Sequence, residues 1–198
     1  MASASPRRQE ILRSSGMAFE VVTSDAETGA EAPDDPLQRA LVNARLKALD
    51  VAGRHADQLV IGADTVVALG CQALEKPLDG AHATQMLEQL SGRQHQVYTA
   101  LTIAVRRSAS GPGAAPQVLV EEVASSSVTF RELSAADIAA YVASGDPLDK
   151  AGAYGIQSGG AGLVLEVLGS YLNVVGLPLA RLLHCLSALG WTGPAKET

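Results

Sequence analysis

Ser3-Ala4-Ser5-Pro6-Arg7-Arg8 places two arginines in the first turn of a helix. That end of a helix carries partial positive charge, so cations there are disfavoured by roughly 0.3 kcal/mol each. Free backbone N–H groups, two small hydroxyls and two guanidinium forks together make an anion cradle, suited to phosphate. A solvated basic helix end has the same residues, and local physics leaves both readings open. Gly62-Ala63-Asp64-Thr65 sets a carboxylate inside a strand-like apolar run. Such a carboxylate is costly unless it is paired, hydrogen-bonded or facing a cleft, and in a cleft it can act as a general base or hold a cation. An aspartate capping a local turn would look alike on this tetrapeptide. Lys47, Lys76-Pro77 and Asp149-Lys150 each read alone as solvated surface charge. Together with Arg7 and Arg8 they could neutralise a polyphosphate, although no spacing shows that they converge.

The elements that must position these residues follow from periodicity and punctuation. Ser5 as N-cap, Pro6 at the first helical position and Gly16 as stop predict a helix over 5–16. Leu37, Leu41, Ala44, Ala48 and Val51 predict a helix over 36–53, with Asn43 and Lys47 one turn apart on another face. Between these helices, 24–35 is acidic and irregular. Leu59 to Ala63 reads as a buried strand that continues past Asp64-Thr65 to Leu69, with a turn at Gly70. A helix is expected over 80–91 with Asp79 as N-cap and Gly92 as stop, and strands over 94–105 and 117–130. The intervening 108–116 reads as a surface loop. Ser134 with Asp137 resembles a capping box for a helix at 135–143 that Gly145 ends. The glycine-rich 151–162 reads as a loop and 163–165 as a strand. A last helix over about 178–189 should bury Leu179, Leu182, Leu183, Leu186 and Leu189, with 192–198 as a frayed tail.

Composition excludes several classes. At 198 residues, 47% apolar and 18% charged, the chain can bury one sizeable core, so a single domain over 1–198 is expected. A net charge of −6 disfavours duplex nucleic acid and anionic membranes as partners, while a small anionic ligand needs only a few clustered bases. Cys71 and Cys185 lie far apart at no zinc spacing and read as apolar packing residues in a reducing compartment. No secretory leader and no run of about 20 apolar residues is visible, so a cytoplasmic protein is expected. None of His55, His82, His95 and His184 is at metal-ligand spacing to another. The glycine-rich run lacks both a Walker lysine and G-x-G-x-x-G, and there is no G-x-S-x-G. Strands mixed with helices indicate an α/β or α+β layer protein.

Six stretches in order resemble the Maf family of nucleoside triphosphate pyrophosphatases. They are Ser3 to Arg8, Gly62 to Thr65, Glu75-Lys76-Pro77, Leu90 to Thr99, Asp149 to Gln157 and Gly169 to Pro178. The resemblance implies an α/β fold of Maf/ITPase-like type: a central mixed sheet flanked by helices, and two lobes around a cleft. It implies hydrolysis of a nucleoside triphosphate to monophosphate and pyrophosphate with a divalent metal, Mg or Mn. The run Asp149-Lys-Ala-Gly-Ala-Tyr-Gly-Ile-Gln157 is similar to the subgroup acting on dTTP and UTP. Residue by residue, Asp64 matches the family's proton acceptor, and Arg7, Thr65 and Gln157 match positions linked to substrate choice. Ser3, Arg8, Lys47 and Lys76 match polar positions of the cleft and are expected to hold phosphates. Gln157 carries a donor and an acceptor, which suits a pyrimidine edge.

Two departures from the pattern stand out. Family members begin with a short apolar strand before the arginine motif, whereas this chain begins at Met1-Ala2, which implies a shortened start and a phosphate loop without its anchoring strand. An acidic residue is expected near Asp25 to Glu31, with Glu27 the best candidate, so the metal ligands stay open. Two other functions also stay open: an N7-methyl-GTP pyrophosphatase and a non-catalytic nucleotide-binding inhibitor of septum formation. A homodimer is the default oligomer.

Overall fold

A computed structural model describes residues 1–110 and 113–193. Five strands form one sheet in the order β2-β1-β3-β4-β5: β1 (Val60–Leu69), β2 (Gln72–Leu74), β3 (Gln94–Val105), β4 (Gln117–Phe130) and β5 (Val164–Leu168). All four pairings are antiparallel. The expected mixed sheet is thus corrected to an antiparallel one, and among the described residues the one parallel contact is an isolated bridge between Ala56 and Arg106, outside the five strands. Gly70 (φ +61°) turns β1 straight back into β2, with no helical crossover of the kind a parallel pair needs; β3 and β5 are entered through α-helical segments and still pair antiparallel with β1 and β4.

The helices are α1 (Pro6–Ser14), α2 (Pro36–Arg54), α3 (Gly80–Leu90), α4 (Ala135–Ala143), α5 (Tyr171–Val175) and α6 (Leu179–Ala188). Ser5 caps α1, Asp79 caps α3, and Ser134 with Asp137 completes the capping box of α4. The sheet is covered on both faces. On one, Ile61, Ala63, Val67, Val97, Leu101, Ile103, Val128 and Phe130 pack into the main core with Leu12 of α1, Leu87 and Leu90 of α3, Ile138 of α4 and Leu182 of α6. On the other, α2 lies across small residues: Ala40 and Ala44 meet Val66 and Ala100, and Ala48 meets Val60 and Ala104.

Gly62 sets the approach of α2. A Cβ at that position would overlap the backbone carbonyl of Ala44 and lie 2.8 Å from the Cβ of Ala48. Only a residue without a side chain lets helix and strand come this close. The consequence differs from the periodicity reading, because the buried face of α2 includes Asn43 and Lys47 along with Ala40, Ala44 and Ala48, whereas Leu37 and Leu41 are only partly buried. Two further differences concern single residues. Leu189 is 37% exposed and Cys185 takes its place in the buried stripe of α6, while Cys71 is exposed in the β1–β2 turn and packs into no core. The tail expected over 192–198 lies outside the described residues from 194 on, as do residues 111 and 112 of the 108–116 loop.

The segment before α1 is tied down at its start. The Met1 amino group donates to the Glu20 carbonyl (2.7 Å), Val22 N–H to the Met1 carbonyl (3.2 Å) and Ala2 N–H to the Ile61 carbonyl (2.8 Å). Among the described residues, no helix is long and apolar enough to cross a membrane.

Candidate active site

Strand period separates the two chemical residues of β1. Gly62, Asp64 and Val66 face α2, and Ala63, Thr65 and Val67 face the opposite side. Asp64 therefore meets α2: Lys47 Nζ donates to Oδ1 at 2.7 Å and Asn43 Nδ2 to Oδ2 at 3.3 Å. Both partners are buried, and the Asp64 side chain itself is 13% exposed. Lys47 also pairs with Glu27 at 2.7 Å, so one ammonium joins a carboxylate of β1 to one of the acidic loop. This partnering offsets the cost of a charge set within an apolar strand.

Thr65 meets α1 instead. Arg8 donates through Nη2 to Thr65 Oγ1 (2.9 Å), through Nη1 to Ser3 Oγ (3.1 Å) and through Nε to the Gly176 carbonyl (2.8 Å). Thr99, directly across the ladder, donates to the Asn173 carbonyl at 3.0 Å, so the 3.0 Å contact between the two threonine hydroxyls uses the Thr65 hydrogen. Every proton in this chain is thereby assigned. Burial pulls the Arg8 guanidinium below the ordinary arginine value, a shift that Asp64 opposes and Arg7 assists. A guanidinium has five N–H donors. Two of Arg8's have no protein acceptor among the described residues.

The loop of 146–158 forms another wall. Asp146 Oδ2 accepts from Tyr141 and Ser158 hydroxyls, each at 2.6 Å, and Lys150 Nζ pairs with Oδ1 at 3.0 Å. Burial would raise the Asp146 carboxyl, yet these donors hold it below the usual aspartate range. Tyr154 in the same loop shares a hydrogen bond of 2.9 Å with His95 Nε2 of β3, beneath Phe130. Burial lowers His95 to about 4.

These walls enclose a cleft of about 560 Å³. Ser3, Arg7, Arg8, Lys47, Asp64, Thr65, Lys76 and Gln157 all line it, as do Glu27 and Lys150. Every residue singled out in the sequence for substrate or proton transfer is thus brought to one place. Their states differ. Lys47 and Lys150 are each engaged by two carboxylates, whereas Arg7 reaches Asp149 only at 3.8 Å and Lys76 and Gln157 are exposed. A smaller cavity of about 330 Å³ adjoins the cleft, sharing Glu27, Asp64, Thr65 and Lys76, and adding Asn43 and the Arg39–Glu75 ion pair.

Sequence reasoning missed Asn43, Thr99, Asn173 and Asp146 as parts of this framework. The helical spacing of Asn43 to Lys47 was the available signal for the first. Thr99 and Asn173 make long-range contacts that leave no local trace, whereas Asp146 meets Tyr141 and Lys150 within five residues. Asn173, fully buried, donates to the Val97 carbonyl and Ser126 Oγ, both at 3.0 Å, and so fixes α5 and the Gly176 carbonyl that Arg8 binds.

Comparison with known proteins gives the family. The family model described as "Maf-like protein" matches residues 1–189. The dTTP/UTP pyrophosphatase of Salmonella typhimurium strain LT2 is 47% identical over 188 residues, covering 94% of this chain and 90% of that protein. The proteins of the same name from Escherichia coli O157:H7 and Shigella sonnei are 45% identical over the same shares. With a family model matched over nearly its whole length and relatives at 45–47% identity, the chain belongs to the Maf family.

Proposed function

We propose that this chain hydrolyses dTTP and UTP to the monophosphate and pyrophosphate. One observation carries the reading: a carboxylate oriented by two donors, Asp64, shares a single cleft with the cations Arg7, Arg8 and Lys76. Phosphoryl transfer needs charge neutralisation and an aligned nucleophile more than covalent chemistry from the protein. Asp64 accepts a proton from water, which attacks a phosphorus of the α,β-anhydride. The bond from that phosphorus to the bridging oxygen breaks, giving the monophosphate and pyrophosphate. Arg7, the spare N–H groups of Arg8, and Lys76 bind the phosphate oxygens. Ser3 and Thr65 hold Arg8 in place, and Lys47 holds Asp64. Gln157, exposed at the rim, offers a donor and an acceptor to the pyrimidine edge.

A divalent cation, Mg or Mn, belongs to this reading. Magnesium is commonly held by one or two carboxylates together with substrate phosphates. Asp64 and Glu27, which converge on the same Lys47 ammonium, fit that donor set. Among the described residues there is no cluster of three His, Cys, Asp or Glu that would form an all-protein cage. When bound, the cation supplies neutralisation of phosphate charge. Two free thiols support a reducing, cytoplasmic setting. A homodimer is the oligomer expected of the purified chain.

The test is pyrophosphate release from dTTP, UTP, CTP, N7-methyl-GTP, ATP and GTP, with Mg or Mn, beside Asp64→Asn. Release confined to dTTP and UTP, with kcat lowered about 10²- to 10⁴-fold in the variant, is expected. Preference for N7-methyl-GTP, or an undiminished rate in the variant, overturns the reading.

A further inference from the structure

Asn43 stands one turn before Lys47 on the buried face of α2, where it is the second of the two donors to Asp64. Polar side chains on a face of alanines are costly to bury without partners. Asn43 is 9% exposed and spends both ends of its amide. Its Oδ1 accepts from Thr28 N–H (3.0 Å) and from the Thr28 hydroxyl (3.1 Å), and its Nδ2 donates to Asp64 Oδ2 (3.3 Å). The orientation of the amide is dictated. A backbone N–H can only donate and so needs the oxygen, which leaves the nitrogen for the carboxylate. Lys47 holds the other oxygen of the same carboxylate and reaches Glu27, the residue before Thr28.

The geometry points to Asn43 as a positioning residue: through one amide it fixes the orientation of the Asp64 carboxylate and locks to it the loop that presents Glu27. Two donors from one helix, at Asn43 and Lys47, grip the two oxygens of Asp64 from one side. A carboxylate held by Lys47 alone could turn about its Cβ–Cγ bond. Held at both oxygens, it keeps one plane toward the cleft. The Thr28 bonds give the acidic loop, which has little regular structure of its own, a fixed point on α2. Rigid support of this kind acts on the reacting geometry, so its loss falls on kcat more than on substrate affinity.

This inference rests on Asp64 being the proton acceptor. The test is steady-state pyrophosphate release from dTTP and UTP by the full chain carrying Asn43→Leu, Asn43→Asp or Asp64→Asn, with thermal melting of each. Asn43→Leu keeps the volume and removes all three bonds. Asn43→Asp keeps the shape and the Thr28 bonds, and puts a second carboxylate oxygen in place of the donor that lies 3.3 Å from Asp64 Oδ2. Both should lower kcat about 10- to 100-fold, with KM within about threefold for Asn43→Leu, and both melt below the parent, Asn43→Asp through repulsion between its carboxylate and that of Asp64. A kcat within twofold of the parent in Asn43→Asp, or a loss in Asn43→Leu confined to KM, would overturn the inference if Asp64→Asn still abolishes turnover. Turnover retained in Asp64→Asn would instead remove the reading beneath it.

Discussion

Arg7 and Arg8 are adjacent in the chain and belong to different regions of the cleft. Arg8 is part of the floor: it faces Ser3, Thr65 and Gly176, joining the loop before α1, strand β1 and the end of α5. Arg7 belongs to the rim, with one long contact to an exposed aspartate. Asp64, Lys47, Thr65 and Asn43 share the floor's character, each on a strand or a long helix with its polar atoms partnered. Lys76 and Gln157 share the rim's, exposed on loops. On the proposed reaction the difference separates two tasks, and Arg8, anchored yet with two spare N–H groups, serves both. Groups that move a proton need one geometry, which partnered side chains on rigid elements supply. Groups that receive a mobile polyanion keep donors free for it.

The largest effect is expected from cutting the floor at Arg8. Arg8→Ala removes three hydrogen bonds from a cation to acceptors that are mostly sheltered from water, which should cost about 2–4 kcal/mol of stability together with turnover. Arg7→Ala should change stability by less than about 0.5 kcal/mol while raising KM. Urea unfolding and steady-state kinetics on the two variants check this, and equal stability losses would erase the distinction between floor and rim.

His95 joins the two regions through Tyr154, and it predicts a pH dependence. Its folded value is about 4, below the ordinary 6.5, because the ring is buried. Above 6.5 the ring is neutral in both folded and unfolded chains and the stability is undiminished. As pH falls toward 4, the unfolded chain takes up a proton that the native site refuses, and stability is lost. Between pH 7 and 5 this amounts to about 2 kcal/mol. His95→Gln, which does not titrate, should lose correspondingly less over the same interval in urea unfolding. Parallel curves for parent and variant would detach His95 from the acid sensitivity of the fold.

The floor and the rim were unequally legible in the sequence. Caps and periodicity located α1, α3, α4, β3 and β4 nearly to the residue, because Ser5, Pro6, Asp79 and Ser134 act through their own neighbours. The three residues of β2 and five of α5 are too short to carry a period. The carboxylate of Asp64 stands out as a charge inside an apolar run, and all eight residues that the resemblance marks line the cleft. The partners that hold the floor together were not visible. Thr65 finds Thr99, and Arg8 finds Gly176, only after the ladder and α5 are in place. The buried face of α2 was misread for a related reason: helical spacing counts apolar residues, whereas Gly62 and Asp64 on the facing strand select small and polar ones.

The smallest effect on stability, and the sharpest on substrate choice, is expected at Gln157. Its side chain is exposed, so Gln157→Ala should leave the melting transition within about 0.5 kcal/mol of the parent. Its backbone, by contrast, sits in a loop fixed from below by Asp146, Tyr141 and Lys150, which presents the residue at one place in the cleft. A fixed backbone with an amide that has no protein partner among the described residues suits the specificity contact proposed for Gln157. The ratio of kcat/KM for dTTP and UTP over CTP and GTP should therefore fall about 5- to 50-fold in Gln157→Ala, as for loss of one or two hydrogen bonds, while kcat on dTTP changes little. An unchanged ratio would assign base selection to Arg7 or Thr65 and leave Gln157 as a solvated rim residue.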